Sequence, residues 1–255
     1  MNVQTAAAVG SALLSLAFAM STFERWLARR RPHELMWSIA LLMFAIAAGA
    51  LAAGAGTGWN GPIFRLFIIF GAIANVPFLA LGTVYLLGGR KRGDVATAFV
   101  ALATAFAAGV VTVAPFRAPL PRHQLAQASQ VFGPLPRIFA GVASGGGALV
   151  VVGGALWSVW RIRRAGAGLA ASRRLVISNS LIAAGTLITG ASGILNSVLN
   201  QMTGFAVALA VGIAVIFAGF LVATAAPRPL VTASPDAAPD AEASRPSRTA
   251  VTAPS

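Results

Sequence analysis

Certain polar side chains in the long apolar runs of this chain are the first candidates for chemistry. The candidates for a polar cavity or for helix contacts are Asn75, Pro77, Ser178, Thr189, Ser192 and Asn196. The last four follow heptad-like steps along one run, so they would share a helical face. Such a row can line a cavity for a weakly polar ligand, or it can hydrogen-bond one membrane helix to another. The second interpretation is favoured, and the first stays open.

Asn75 lies in a run whose backbone we expect to be distorted. It shares a helical face with Gly71 and Gly82. Pro77 has no N–H group to give to the carbonyl of Ile73, so we predict a kink there. Asn75 would then reach another helix or a ligand in a central cavity.

Two arginines open apolar runs in the same sequence context. Gly-Pro-Ile-Phe-Arg ends at Arg65, and Gly-Pro-Leu-Pro-Arg ends 72 positions later at Arg137. Gly82 and Gly154 stand at the same offset, which indicates a parallel internal repeat, although chance similarity between apolar helices would explain the match equally well. Arg65 and Arg137 are candidates for binding an external anion or lipid headgroup. Simple snorkelling anchors are the favoured interpretation.

Residues for acid–base, nucleophilic or metal chemistry are missing from the apolar runs. The chain has no cysteine, and its two histidines, His33 and His123, lie outside these runs. No Asp, Glu or Lys falls in the middle of a run, and no Ser-His-Asp, zinc-protease or phosphate-loop pattern is present. We therefore predict a protein that is not an enzyme and that has no metal and no cofactor, haem included.

The composition is that of an integral membrane protein. Of the 255 residues, 57% are hydrophobic and 10% are charged, whereas a soluble domain carries about 25% charged residues. The net charge of +13 comes from basic clusters between apolar runs. That placement follows the positive-inside rule, so we expect contact with anionic lipid at the cytoplasmic face and no binding of nucleic acid.

Seven apolar runs are long enough to cross a bilayer as helices. They cover approximately residues 3–23, 35–54, 64–87, 95–115, 138–160, 175–195 and 205–225. Basic clusters follow the first, third and fifth runs, which puts the N-terminus outside and the C-terminus in the cytoplasm. The first run lacks the basic start of a signal peptide, so we expect it to be retained. The tryptophans that we expect near helix ends, as an aromatic belt, are Trp26, Trp37, Trp59, Trp157 and Trp160.

The sequence thus predicts an all-α, polytopic membrane protein, a bundle of seven transmembrane helices in the bacterial inner membrane. Residues 226–255 differ in composition, being rich in Pro, Ala, Ser and Thr. Such a segment cannot bury enough apolar surface to become ordered, so we predict a disordered cytoplasmic tail.

Two motifs carry a resemblance to known membrane proteins. They are Arg-Arg-Pro-His-Glu-Leu-Met-Trp at 30–37 and Phe-Gly-Ala-Ile-Ala-Asn-Val-Pro-Phe-Leu-Ala-Leu-Gly-Thr-Val-Tyr-Leu-Leu-Gly-Gly-Arg at 70–90. The segment from Arg29 to Arg92 resembles a group of uncharacterised multi-pass proteins of high-GC Gram-positive bacteria, which implies no activity. More loosely, the order of seven spans resembles the membrane sensor region before some bacterial histidine kinases, although no kinase follows here.

Two functions fit this pattern. The leading hypothesis is a non-enzymatic sensor-like or accessory subunit that acts through helix contacts, alone or as a homo- or hetero-oligomer. Close-packing steps such as Gly141 and Gly145, a GxxxG pair, favour it. The alternative is a transporter of a neutral or weakly polar solute through a cavity lined by the third and sixth spans. A fold without a cavity beside Asn75, Thr189 and Asn196 would exclude the transporter.

Overall fold

The fold is known from a computed structural model, which describes residues 3–120, 128–164, 176–178, 180–190 and 202–224. These residues form helices and connecting segments without a strand, so the predicted all-α class is confirmed. The elements are α1 (Val3–Arg29), α2 (Pro32–Thr57), α3 (Gly61–Ile68), a π-helical segment (Ile69–Ala74), α4 (Asn75–Val113), α5 (Ala128–Val131), α6 (Pro134–Arg164), α7 (Val176–Gly190) and α8 (Met202–Thr224).

Five helical stretches among the described residues are long and apolar enough to cross a membrane. They are Val3–Arg29, Pro32–Thr57, Gly61–Val113, Pro134–Arg161 and Gly204–Val222. Val176–Gly190 is apolar but shorter. The predicted membrane-embedded character is therefore confirmed, whereas the number of seven crossings and their direction stay predictions. The predicted tail, residues 226–255, lies outside the described part of the chain.

The longest stretch, Gly61–Val113, is not one straight rod. Gly89 has φ 78° and ψ 178°, a backbone conformation that is essentially restricted to glycine. The Thr97 hydroxyl donates to the Tyr85 hydroxyl at 3.0 Å, although in a straight helix these residues would lie about 18 Å apart along the axis. The chain therefore reverses at Gly89. We call the parts of α4 on either side α4a, before Gly89, and α4b, after it.

The helices pack around a central space. α1 and α2 form an antiparallel hairpin in which the Ser38 hydroxyl donates to the Ala19 carbonyl at 2.9 Å. α2 and α6 also pack on α4, through Trp37 against Gly82 and Gly154 against Thr83 of α4a, and α8 packs on α1. Between α1 and α8, the rings of Phe18 and Phe220 are in edge contact, with centroids 4.5 Å apart.

α4a and α6 run parallel and in register. The Ser144 hydroxyl donates to the carbonyl of Ala72 at 2.5 Å. Gly147 faces Val76 so closely that a Cβ atom would lie 2.9 Å from the Val76 carbonyl. Gly154 likewise contacts the methyl group of Thr83. Small residues permit this approach of two backbones.

The predicted close-packing pair is not the one that makes this contact. A Cβ atom at Gly141 or Gly145 would meet no described atom within 4 Å. The GxxxG spacing identified α6 as a helix able to pack closely, but neighbouring glycines face α4a instead.

An aromatic cluster closes the end of the bundle where α3 begins. Phe64 is fully buried there and stacks on Phe132 with ring centroids 5.6 Å apart. Trp59 is also buried in this cluster, packed against Gly54, rather than lying at the surface as an aromatic belt requires. Trp157 is exposed, as predicted.

α4b and α6 present apolar side chains outward. The most exposed include Val95, Phe99, Leu102, Val113, Leu149 and Val142. Side chains of this kind are stable at a surface that faces hydrocarbon, in line with the apolar character of these helices.

Candidate functional site

A cavity of about 590 Å³ lies inside the bundle. Its walls come from α2, the run from α3 to α4a, α5, α6, α7 and α8. Most of the lining is apolar, and the polar side chains in it belong to Asn75, Arg137, Ser144, Thr186 and Thr189. A concave, largely apolar space of this volume with a few polar groups is the usual form of a small-molecule site.

Asn75 is the lining residue with the clearest unmet need for a partner. It is 7% exposed, and its Oδ1 has no hydrogen-bond partner among the described residues. A buried polar atom without a partner destabilises a fold by about 1–3 kcal/mol. A bound molecule that pairs with this amide would remove that penalty.

The backbone beside Asn75 is distorted, although not by a break at Pro77. The distortion is the π-helical segment Ile69–Ala74, after which the Asn75 N–H donates to the carbonyl of Phe70, five residues back. Within α4, the non-helical backbone angles occur at Gly89 and not at Pro77. The Ser144 hydroxyl donates to the Ala72 carbonyl inside the π-helical segment. Neighbouring hydroxyl groups and local π-helical adjustment are the usual ways to accommodate a proline in a membrane helix, and such π segments are frequent at functional sites.

The hydroxyl residues of α7 divide between cavity and packing. Thr189 lines the cavity, and its hydroxyl donates to the Gly185 carbonyl at 2.8 Å. Ser178 is buried where α7 meets α8, with its carbonyl beside Gly219. Ser192 and Asn196, the other two candidates in this row, lie outside the described residues.

The two arginines of the matching openings have different surroundings. Arg65 donates from Nη2 to the carbonyl of Ala114 at 2.8 Å, and its guanidinium lies 4.6 Å from the centre of the Phe116 ring. Arg137 is exposed and lines the cavity. The structure does not place Arg65 in the cavity lining, so the two arginines do not form one site there.

Two further residues line the cavity, of which Ser144 was not a sequence candidate and Thr186 belongs to the polar stripe beside the predicted row of α7. Ser144 stands in the Gly-rich part of α6, where the sequence pattern indicates close packing of helices and not a polar site. Thr186 is buried, and its hydroxyl donates to the Ile182 carbonyl at 2.8 Å. A search for any hydroxyl residue on a glycine-rich face would have found Ser144.

A second polar cluster joins α1, α2 and α8 at the end of the bundle where α1 connects to α2. Glu34 is 5% exposed, and its Oε2 has no partner among the described residues. The Arg25 guanidinium lies 3.8 Å from the centre of the Phe220 ring. Glu34 immediately precedes the second predicted span. The helix begins earlier, at Pro32, so Glu34 lies in its first turn.

Comparison of the chain with family models, with curated proteins and with solved structures finds no match. The resemblance to multi-pass proteins of high-GC Gram-positive bacteria therefore stays a prediction. The chemistry of the cavity is the available guide to function.

Proposed function

We propose that this protein is a non-enzymatic, sensor-like subunit of the bacterial inner membrane that binds a small, weakly polar molecule inside its helix bundle. The observation that carries this proposal is the buried amide of Asn75, which lines a cavity of about 590 Å³ and whose Oδ1 has no partner in the described chain. An apolar lining with one unpaired amide favours a ligand with few polar groups, because every other buried polar group would lose its hydrogen bonds to water.

The position of Asn75 would couple ligand binding to the packing of α4a on α6. The residue follows the π-helical segment directly, and Ser144 of α6 holds the carbonyl of Ala72 within that segment. A ligand that binds Asn75 would stabilise one arrangement of α4a against α6. A ligand shifts such an equilibrium only by its difference in affinity for the two arrangements.

The proposed topology has seven crossings. The reversal at Gly89 supports counting Gly61–Val113 as two crossings, and Val176–Gly190 would be the sixth. With the N-terminus outside, the basic loops face anionic lipid in the cytoplasm. Since the chain has no cysteine, single cysteines can test this. Thr57→Cys should react with an impermeant maleimide in intact cells, whereas Lys91→Cys and Ser234→Cys should react only after lysis. Labelling of Ser234→Cys in intact cells would contradict the topology.

Native mass spectrometry of the purified protein tests ligand binding. We expect a copurifying small molecule on the unaltered protein and its loss from Ala148→Phe, because Ala148 lines the cavity and a phenyl ring there would project into the space that the ligand occupies. Leu149→Phe is the matched control, since the next residue is 76% exposed on the outer face. The same adduct on both variants, or none on the unaltered protein, would argue against a ligand site.

A transporter of a neutral or weakly polar solute is the second candidate. Asn75 and Thr189, from the third and sixth predicted spans, both line the cavity, as this function requires. Reconstituted vesicles separate the two functions. A sensor binds its ligand without moving it, whereas a transporter empties vesicles loaded with the molecule identified by mass spectrometry, and Ala148→Phe abolishes that release.

A further inference from the structure

We propose that the cavity binds a single-chain amphipathic anion, with its charged group at Arg137 and its apolar chain extending past Asn75. This inference rests on the proposed function, because it names the chemical class of the ligand for the same cavity. It adds a charge requirement that a neutral solute does not meet.

Arg137 supplies the charge. Of the described residues that line the cavity, Arg137 alone carries a charge. It makes no ion pair or hydrogen bond within the described chain. Phe67 and Phe205 line the same end of the cavity. A guanidinium at the mouth of an apolar space, with five N–H donors in a planar fork, matches a carboxylate or a phosphate.

The register of α4a and α6 sets the spacing of the polar groups. Ser144 contacts Ala72, Arg137 precedes Ser144 by seven residues, and Asn75 follows Ala72 by three. At a rise of 1.5 Å per residue, the levels of Arg137 and Asn75 are about 15 Å apart along the axis. The arginine side chain shortens the gap that the ligand must span.

The lining from the level of Arg137 to beyond Asn75 is suited to a hydrocarbon chain. It includes Phe67, Ile68, Leu79, Leu209, Ile213 and Ile216. A sugar or a nucleotide would leave many hydroxyl groups unpaired against such walls. A hydrocarbon chain leaves none, and a hydroxyl group part-way along it would donate to Oδ1 of Asn75.

Two sources share this chemistry. A free fatty acid would place its carboxylate at Arg137, and a membrane phospholipid would place its phosphate there with one acyl chain in the cavity. Solvent extraction of the purified protein, followed by mass spectrometry, separates them. A stoichiometric free acid indicates the first source, and a phospholipid that resists exchange during washing indicates the second.

Photoaffinity labelling tests the inference directly. The probes are a diazirine-bearing palmitate and the diazirine-bearing cetyl alcohol, added to the full chain in nanodiscs of zwitterionic lipid. We expect the acid to label peptides from α4a and α6, and Arg137→Gln to weaken its apparent affinity about tenfold or more, as loss of a charge-assisted hydrogen bond predicts. The alcohol should bind weakly to both proteins.

Arg65→Gln is the matched control, because Arg65 occupies the equivalent position but is absent from the cavity lining. It should leave labelling by the acid unchanged. Equal labelling by the acid and the alcohol, with no effect of Arg137→Gln, would overturn the proposal that the ligand is an anion. The cavity would still be the binding site if Ala148→Phe abolished that labelling. Labelling that survives Ala148→Phe would overturn the cavity site itself.

Discussion

The helices that begin at Gly61 and at Pro134 carry the same Gly-Pro-x-x-Arg opening but use it differently. Arg65 is tied to the chain that returns after α4b, through the Ala114 carbonyl and the Phe116 ring. Arg137 is exposed at the cavity, without a hydrogen-bond or ion-pair partner in the described chain. A shared sequence context therefore sets where an arginine lies along a helix, and the neighbouring segments decide what it contacts.

The difference continues deeper along the same two helices. They contact each other at Ala72 and Ser144, which are equivalent positions at the 72-residue offset. At the next equivalent pair, Asn75 faces the cavity, whereas Gly147 faces the backbone of Val76. At this level α4a thus carries the polar side chain, and α6 provides the close contact that positions it.

The largest effect is expected from a substitution at that close contact. Gly147→Val should lower the free energy of unfolding by about 3 kcal/mol, because its Cβ would meet the Val76 carbonyl at 2.9 Å and force the two helices apart. Unfolding in mixed micelles measures this. Gly146→Val is the control, since a Cβ there meets no described atom within 4 Å. Equal destabilisation by both variants would mean that α6 does not pack on α4a through Gly147.

The next effect concerns the anchored arginine. Arg65→Gln should lower the free energy of unfolding by about 2 kcal/mol, since it removes a charged hydrogen bond to Ala114 and a contact with the Phe116 ring. Arg65→Lys should recover part of this loss, because it restores the charge but not the planar fork. Wild-type stability of Arg65→Gln in the same unfolding experiment would show that Arg65 is not an anchor.

The sequence was sufficient for the helical class because apolar runs of this length leave the backbone no alternative in lipid. It also located Asn75, as an amide within an apolar run, and Thr189, through the heptad-like row of polar residues around it. It could not show that Arg65 and Arg137 differ, because Ala114 and Phe116 reach Arg65 only after the chain reverses at Gly89. Long-range contacts of this kind leave no local pattern.

The spacing of glycines also could not show which residues a helix contacts. Spacing predicts that a helix can be approached closely, but it does not say from which side. Gly141 and Gly145 have the expected spacing and no close neighbour among the described residues, whereas Gly147 and Gly154 contact α4a. Pro77 predicted a kink at the proline, whereas the distortion is the π-helical segment Ile69–Ala74 before it, where the Ser144 hydroxyl donates to the Ala72 carbonyl.

A smaller effect, of opposite sign, is expected at the polar site. Asn75→Leu should raise the stability of the ligand-free protein by about 1 kcal/mol, because it removes a buried amide oxygen without a partner. The same variant should lose the copurifying ligand in native mass spectrometry. Ser144→Ala, which removes the hydrogen bond to Ala72, should instead destabilise by about 1 kcal/mol. Destabilisation by Asn75→Leu would indicate that the amide is satisfied within the bundle.

The smallest effect on stability is expected at Arg137, and that is what distinguishes it from Arg65. Arg137→Gln should change the free energy of unfolding by less than about 0.5 kcal/mol, as for an exposed side chain without partners in the described chain. The measurement is made on delipidated protein, because a bound anion would stabilise the unaltered form alone. A loss as large as that of Arg65→Gln would mean that both arginines are anchors. An unchanged stability combined with weaker binding of the acid would assign Arg137 to the ligand and Arg65 to the fold.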